Sequence, residues 1–134
     1  MVTTFYLDTS VAVKILFGDS PSAQQWFDDA VASESDSVIS SRLLQTELTR
    51  VLRREGRDVH ERDLIQDYVG IMRLDHAVLI AAESIGPHIK TLDAIHLASA
   101  VRSGIDDLVV VSHDHNVQHV AEQLALAVFD PCAG

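Results

Sequence analysis

The sequence predicts an α/β fold, a three-layer sandwich in which a central, mainly parallel sheet of about four or five strands is flanked by helices. Short apolar, β-branched runs alternate along the chain with longer segments whose apolar residues recur at helical spacing. The 134 residues suit one compact domain, whose core is large enough to fold without disulfides or a structural metal. We therefore treat residues 1–134 as a single domain.

In the N-terminal half, two predicted strands alternate with three predicted helices. The strands are apolar runs that end at polar residues, at 2–7 and 37–40. The helices are predicted at 10–17, 21–31 and 41–55. Ser20-Pro21 is typical of a helix start, because serine caps free N–H groups and proline fits the first helical position. Gly18 and Gly56 are expected to end the first and third helices.

The C-terminal half continues the alternation. Helices are predicted at 60–72, 91–103 and 116–124, with Thr91 as the N-cap of the second. Strands are predicted at 108–111 and 126–129. Residues 77–80 fit either a short strand or the start of a helix that ends near Gly86-Pro87. This order of elements is typical of a parallel sheet covered by helices on both faces.

The chain is acidic, with a formal net charge of -10 at pH 7. The charge fits a solvated surface that keeps the protein soluble, or carboxylates that are gathered to hold cations. The N-terminus lacks the basic region of a signal peptide, and no apolar run approaches the ~18 residues of a membrane span. The single cysteine, Cys132, cannot form an internal disulfide. We expect a cytoplasmic protein with no membrane association.

Four acidic residues stand out from this background: Asp8, Glu47, Asp93 and Asp114. Asp8 and Asp114 each follow a predicted buried strand, and ligand sites of open α/β sheets lie at that end of the strands. Glu47 and Asp93 lie among apolar neighbours in helices, where a carboxylate is costly unless it is paired or metal-bound. Clustered carboxylates repel each other, and a divalent cation such as Mg²⁺ relieves the repulsion. The pattern indicates an acidic metal site.

Each acid also has a structural interpretation. Asp8 and Asp114 could be helix N-caps, and Asp93 could favour the start of its own helix. Glu47 could pair with Arg50, three residues along the same helix.

Four short segments together resemble the PIN-domain family. They are Tyr6-Leu7-Asp8-Thr9-Ser10, Glu47 after the second strand, Leu92-Asp93-Ala94-Ile95-His96-Leu97-Ala98 and Val110-Val111-Ser112-His113-Asp114. Their order and spacing match across almost the whole chain, and Asp-Ala-Ile-His-Leu-Ala is the most specific piece. The short chain is similar to VapC toxins, the ribonuclease halves of VapBC toxin–antitoxin pairs, rather than to larger processing factors.

The resemblance implies an endoribonuclease that depends on Mg²⁺ or Mn²⁺. Asp8, Glu47, Asp93 and Asp114 would be its metal-binding acids, and Ser10 would support the site with a hydroxyl. The resemblance also implies a homodimer and inhibition by a small VapB-type antitoxin. One motif departs from the family, because Ser112-His113-Asp114 stands where Thr-x-Asp is more usual. Serine keeps the hydroxyl, so we expect the site to survive.

Basic side chains are the candidates for contact with RNA or antitoxin. Arg50, Arg53, Arg54 and Arg57 lie on one short stretch, and Lys14 lies on the helix after Asp8. A basic patch on an acidic chain fits a single-stranded RNA substrate or an acidic or amphipathic protein partner. Local salt bridges on a solvated face are the alternative.

The histidines near the acids have several possible roles. His96 lies three residues after Asp93, and we predict that it packs or hydrogen-bonds beside the site rather than acting in catalysis. His115 and His119 could bind a transition metal, although solvated side chains are the simpler interpretation.

Two other functional classes are alternatives to the nuclease. One is a PIN-like module that binds RNA or protein without catalysis. The other is a different acidic-site protein on an α/β sheet. A haloacid-type phosphatase would have a second aspartate where Ser10 stands, and a phosphotransfer receiver would have a late lysine, whereas none follows Lys90.

Overall fold

The sheet is fully parallel and has five strands in the order β3-β2-β1-β4-β5. The computed structural model describes residues 2–133. Its strands are β1 Thr4–Leu7, β2 Ser37–Ser41, β3 Gly70–Met72, β4 Val109–Val111 and β5 Ala127–Phe129. Its helices are α1 Thr9–Leu16, α2 Pro21–Ala32, α3 Arg42–Arg54, α4 Asp63–Gln66, α5 His76–Glu83, α6 Thr91–Arg102 and α7 His115–Gln123. The predicted fold class is confirmed.

Helices cover both faces of the sheet, as the alternation of side chains along β1 requires. Leu7 packs on one face with apolar side chains of α1, α2 and α3. Tyr6 packs on the other face with α6 and α7, where Leu97 and Val117 are its buried neighbours. The central strand is therefore buried from both sides, which is typical of parallel sheets.

Most of the predicted helix boundaries hold to within one or two residues. Ser20 caps α2 by accepting the N–H of Ala23, and Pro21 is the first helical residue. Gly18 follows α1 with a φ of 68°, a left-handed conformation that glycine adopts without strain. The predicted cap at Thr91 is wrong: the N-cap of α6 is Lys90, and Thr91 is already inside the helix.

The prediction of one helix over 60–72 is also wrong. This stretch contains a 3₁₀ helix, Val59–Arg62, then the short α4, and then the edge strand β3. Ile65 is buried in the core, whereas the apolar side chains of Leu64 and Tyr68 are exposed. The ambiguous segment 77–80 lies within α5.

The strand order reverses between β1 and β4. From β1 the chain moves outward to β2 and β3, and it then crosses back to β4 on the other side of β1. A crevice is expected beyond the carboxyl ends of the two strands at such a switch point. None of the helices formed by residues 2–133 combines the length and apolar character needed to traverse a bilayer.

Candidate metal centre

Asp8 lies at the bottom of the crevice between β1 and β4. It directly follows β1, and its N–H extends the ladder by donating to the carbonyl of Val111 at 2.9 Å. Asp8 is only 3% exposed. A carboxylate this buried needs compensating partners.

Two serine hydroxyls provide those partners. Ser10 Oγ donates to Asp8 Oδ2 at 2.7 Å, and Ser112 Oγ donates to the same oxygen at 2.8 Å. Asp8 is the N-cap residue of α1 by position, but its side chain makes no capping hydrogen bond. The capping interpretation of this carboxylate is therefore wrong, and its second oxygen, Oδ1, is left for another ligand.

Glu47 lies on α3, and its side chain is held by His96 of α6, a helix that packs on the opposite face of the sheet. His96 Nε2 donates to Glu47 Oε1 at 2.6 Å, and Thr9 Oγ1 donates to the same oxygen at 2.7 Å. The alternative pairing with Arg50 is not found, because Arg50 forms no ion pair with the described residues.

The pKa shifts of Glu47 and His96 describe an ion pair. Burial by itself raises the pKa of Glu47, but the hydrogen bond and charge of His96, with the Thr9 hydroxyl, outweigh it and lower the pKa. Burial by itself lowers the pKa of His96, but the hydrogen bond to Glu47 and the charges of Asp8, Glu47 and Asp93 outweigh it and raise the pKa. Both directions favour imidazolium with carboxylate.

The ring of His96 is fixed at its other nitrogen as well. Nδ1 lies 2.8 Å from the hydroxyl oxygen of Tyr6, and His96 is 1% exposed. In the imidazolium form both ring nitrogens carry protons, so Nδ1 donates to Tyr6 while Nε2 donates to Glu47. His96 therefore has the hydrogen-bonding role beside the site that the sequence predicts.

Asp93 lies in the first turn of α6, one helical turn before His96. Burial raises its pKa to about 6, and the nearby carboxylates of Asp8 and Asp114 add to the effect, whereas His96 opposes it. Glu47 makes a smaller contribution in the same direction. The other three acids therefore lie near Asp93, in the same crevice.

Asp114 does act as a helix N-cap. Its Oδ1 accepts the N–H groups of Asn116 and Val117, at 2.9 and 3.0 Å, and so starts α7. Its own N–H donates to Ser112 Oγ, which connects this cap to the Asp8 carboxylate. Both capping bonds use Oδ1, so capping does not prevent Oδ2 from binding a cation.

The donor set fits a hard divalent cation. Four carboxylates that meet in one crevice repel each other, and Mg²⁺ or Mn²⁺ prefers carboxylate and water oxygens. Three of these carboxylates have one oxygen fixed by hydrogen bonds from serine, threonine, histidine or backbone donors. Such outer contacts orient ligands and are a common feature of metal sites.

Sequence reasoning missed two side chains of this centre, Tyr6 and Thr9. Each contacts another residue of the centre through a hydroxyl. Thr9 lies between the predicted site residues Asp8 and Ser10, so its position next to a strand end was the one available signal. Tyr6 has no such signal, because an aromatic residue in a buried strand is expected to be core.

The basic candidates lie outside this network. Arg50, Arg53, Arg54 and Arg57 are all exposed. Arg54 pairs with Glu55, while Arg57 pairs with Glu61 and covers the ring of Phe17 at 4.6 Å. Lys14 is partly exposed on α1. Local salt bridges therefore account for two of the four arginines.

Comparison with known proteins identifies the family. Residues 5–123 match the family model of the PIN domain. Ribonuclease VapC46 of Mycobacterium tuberculosis is 31% identical over 137 aligned positions, which cover 97% of this chain and 99% of the relative.

Solved structures share the fold at low sequence identity. VapBC2 from Rickettsia felis, bound to a DNA fragment from its promoter, has a TM-score of 0.74 at 11% identity, covering 96% of this chain and 98% of that one. A toxin–antitoxin complex from Klebsiella pneumoniae has a TM-score of 0.66 at 15% identity, covering 94% and 96%. The family match spans all four acids and most of the chain, and the chain therefore belongs to the PIN-domain family, in the group that contains the VapC ribonucleases.

Proposed function

We propose that this protein is a metal-dependent endoribonuclease that acts as the toxin of a type II toxin–antitoxin pair. The observation that carries the proposal is the crevice at the ends of β1 and β4, where the carboxylates of Asp8, Asp114 and Glu47 lie close enough to Asp93 to raise its pKa. Its relatives include a VapC ribonuclease that is 31% identical and is aligned over 99% of its length, which supports RNA as the substrate.

In the proposed mechanism, the four carboxylates would hold Mg²⁺ or Mn²⁺. A bound ion of this kind would supply Lewis-acid chemistry: it would make water more acidic and offset negative charge on a phosphodiester. Ser10 and Ser112 fix Oδ2 of Asp8, which leaves its other oxygen for a cation. His96 and Thr9 lower the pKa of Glu47 and fix its side chain through hydrogen bonds. Glu47 could therefore bind a cation without first losing a proton.

The partners follow from the same proposal. A single-stranded RNA would reach the crevice across an exposed basic surface that includes Arg50 and Arg53, and Lys14 would approach from α1. A VapB-type antitoxin would cover this crevice, and a positively charged antitoxin side chain would suit the acidic centre. We expect residues 1–134 to act as one PIN domain, to form a homodimer and to work in the cytoplasm.

RNA cleavage by the purified protein tests the proposal. A pool of structured RNAs is incubated with Mn²⁺, with Mg²⁺ or with excess chelator, beside the variants Asp8→Asn and Asp93→Asn. His119→Gln is the matched control, because His119 is exposed on α7 and makes no contact with the centre. We expect cleavage that needs the metal, is lost in both aspartate variants and is unchanged in the control.

Two outcomes contradict the proposal in different ways. Cleavage that persists in Asp8→Asn and Asp93→Asn would show that the activity comes from a contaminant or from another site. RNA binding that is equal with and without metal, combined with no cleavage of any RNA, would instead favour a non-catalytic PIN-like module.

A further inference from the structure

A second group of side chains of the metal-ligating types lies at the ends of β4 and β5. It is beside the acidic centre, the name used below for the crevice that holds Asp8, Glu47, Asp93 and Asp114. His113 follows β4 by two residues, Asp130 directly follows β5, and Cys132 lies in the short 3₁₀ helix Pro131–Ala133. The two strands are paired, and Ser112 N–H extends the pairing by donating to the carbonyl of Phe129 at 3.1 Å. The sheet itself therefore brings these three residues together.

Their ligand atoms are close enough to share one ion. A histidine ring nitrogen, a carboxylate oxygen and the cysteine sulfur all lie within 4.8 Å of one another. Nδ1 of His113 is 2.9 Å from Oδ2 of Asp130. Ligands around a tetrahedral Zn²⁺ are separated by roughly 3.3 to 3.8 Å, given Zn–N and Zn–O distances of about 2.0 Å and a Zn–S distance of about 2.3 Å. Closing the site would require the more distant ligand atoms to approach each other and Nδ1 of His113 to move slightly away from Oδ2 of Asp130.

The carboxylate of Asp130 is already oriented. Its Oδ1 accepts the N–H of Cys132 at 2.9 Å, which leaves Oδ2 directed to His113. Gln118 approaches the same Oδ2 at 3.4 Å and anchors its amide on the carbonyl of Ser112 at 2.7 Å. Fixed outer contacts of this kind reduce the ordering that metal binding must supply.

The ligand types select a different metal from the one expected at the acidic centre. Thiolate and imidazole favour borderline-soft ions such as Zn²⁺, whereas Mg²⁺ prefers oxygen ligands alone. We propose that His113, Asp130 and Cys132 form a Zn²⁺ site, with three protein ligands and a fourth position open to water or to another ligand.

The site is connected to the acidic centre through Ser10, which hydrogen-bonds to both. The backbone N–H of His113 donates to Ser10 Oγ at 3.0 Å, and Ser10 Oγ donates to Asp8. Zinc at His113 would thus bind next to the segment that carries Ser112 and Asp114, while using none of the four acids.

Co²⁺ is the probe, because Zn²⁺ is spectroscopically silent and Co²⁺ bound by a thiolate gives a charge-transfer absorption. The full-length protein is titrated with Co²⁺ in excess Mg²⁺, which saturates the acidic centre, and then with Zn²⁺. Cys132 is the single cysteine of the chain, so a thiolate band reports this site alone. We expect one equivalent of Co²⁺ to bind and one equivalent of Zn²⁺ to displace it.

Variants distinguish the three-ligand site from a simple thiol. Cys132→Ser should abolish the band, and His113→Gln and Asp130→Asn should each weaken Co²⁺ binding at least about tenfold. Asp130→Asn keeps the Oδ1 acceptor for Cys132 N–H, so its fold is expected to survive, and thermal melting without metal checks this. His119→Gln and Asp93→Asn should bind Co²⁺ as the parent does.

Three results would overturn the proposal. The first is the absence of a thiolate band. The second is a band with the same midpoint in His113→Gln and Asp130→Asn, since Cys132 would then bind without these ligands. The third is a band that disappears on dilution together with a metal-induced dimer, since the ion would then join two chains.

Discussion

His96 Nε2 lies 2.6 Å from Glu47 Oε1, and this contact joins two helices that pack on opposite faces of the sheet. The contact lies beyond the carboxyl ends of the strands, so it joins the two helices past the edge of the sheet. The lowered pKa of Glu47 and the raised pKa of His96 both favour an imidazolium paired with a carboxylate, so the pair favours the ionised form of one acid of the acidic centre.

The first prediction concerns metal affinity. His96→Gln can still donate a hydrogen bond to Glu47 but carries no charge, so Glu47 becomes easier to protonate and less well fixed. We expect Mn²⁺ affinity at the acidic centre to fall about tenfold, as for other residues that orient metal ligands. Isothermal titration calorimetry measures it, with His119→Gln as the matched control. Unchanged affinity would mean that His96 serves packing alone.

The second prediction is a pH dependence of the Glu47–His96 coupling energy. A raised His96 pKa stabilises the fold fully below the unfolded value of 6.5, and this is lost as pH rises through the folded pKa. A lowered Glu47 pKa stabilises the fold fully above the unfolded value of 4.5, and this is lost as pH falls through the folded pKa. The coupling should therefore be largest between pH 4.5 and 6.5.

A double-mutant cycle with His96→Gln and Glu47→Gln measures this coupling. Urea unfolding of the four proteins is followed in chelator from acid to alkaline pH. A coupling energy that does not vary with pH would contradict an ion pair, because a neutral hydrogen bond has no such dependence.

The third prediction is that Asp93→Asn stabilises the metal-free protein. The pKa of Asp93 is raised from 3.8 to about 6, so its ionised form opposes folding above that pH. At pH 7.5 the variant should gain about 1 kcal/mol, since solvent screens this half-buried group and reduces the effect of the shift. Thermal melting in chelator tests this gain. Added Mn²⁺ should then raise the melting temperature of the parent protein and leave the variant unchanged.

The fourth prediction separates the two roles of Asp114. Asparagine caps helices as well as aspartate does, so Asp114→Asn should keep the stability of α7, whereas Asp114→Ala should lose about 1 kcal/mol. Both variants remove a carboxylate from the centre, and both should weaken Mn²⁺ binding. Full metal affinity and full cleavage in Asp114→Asn would show that this residue is a cap alone.

The fifth prediction concerns the exposed arginines. Arg50 and Arg53 form no ion pair with the described residues, so Arg50→Ala with Arg53→Ala should leave the free energy of unfolding unchanged. If both contact phosphate, the slope of log affinity for RNA against log salt should decrease by about 2. Arg57→Ala is the contrasting variant, because it loses an ion pair and the contact with Phe17 and should lower stability instead. An unchanged salt slope would remove both arginines from the RNA surface.

The sequence predicted four of the five strands because each is an apolar run that ends at a polar turn. It failed at β3, a three-residue edge strand whose residues Gly70 and Ile71 are exposed. The same short stretch contains apolar residues at helical spacing, and periodicity alone extends the helix through it. Only pairing with β2, which is a long-range interaction, distinguishes the two conformations.

The site shows a similar limit. Asp8 and Asp114 both follow a buried strand and precede a helix, yet only Asp114 uses its carboxylate as a cap. Asp8 instead accepts the hydroxyl of Ser10 and the hydroxyl of Ser112, and Ser112 is distant from Asp8 in sequence and reaches it because β1 pairs with β4. Sequence position was enough to predict both acids as site residues. It was not enough to predict their hydrogen-bond partners, because the pairing of strands places Ser112 beside Asp8.

The pairing of β1 with β4 also determines when the acidic centre can form during synthesis. Leu7 and Val111 are paired in the sheet, so β1, the first strand to be synthesised, cannot complete its pairing until β4 has been synthesised. A chain still on the ribosome has Asp8 exposed early but lacks Ser112 and Asp114 until the late segment emerges. The acidic centre therefore cannot be complete until the segment that carries Ser112 and Asp114 has been synthesised, and proteolytic removal of the final strands would remove both residues from it.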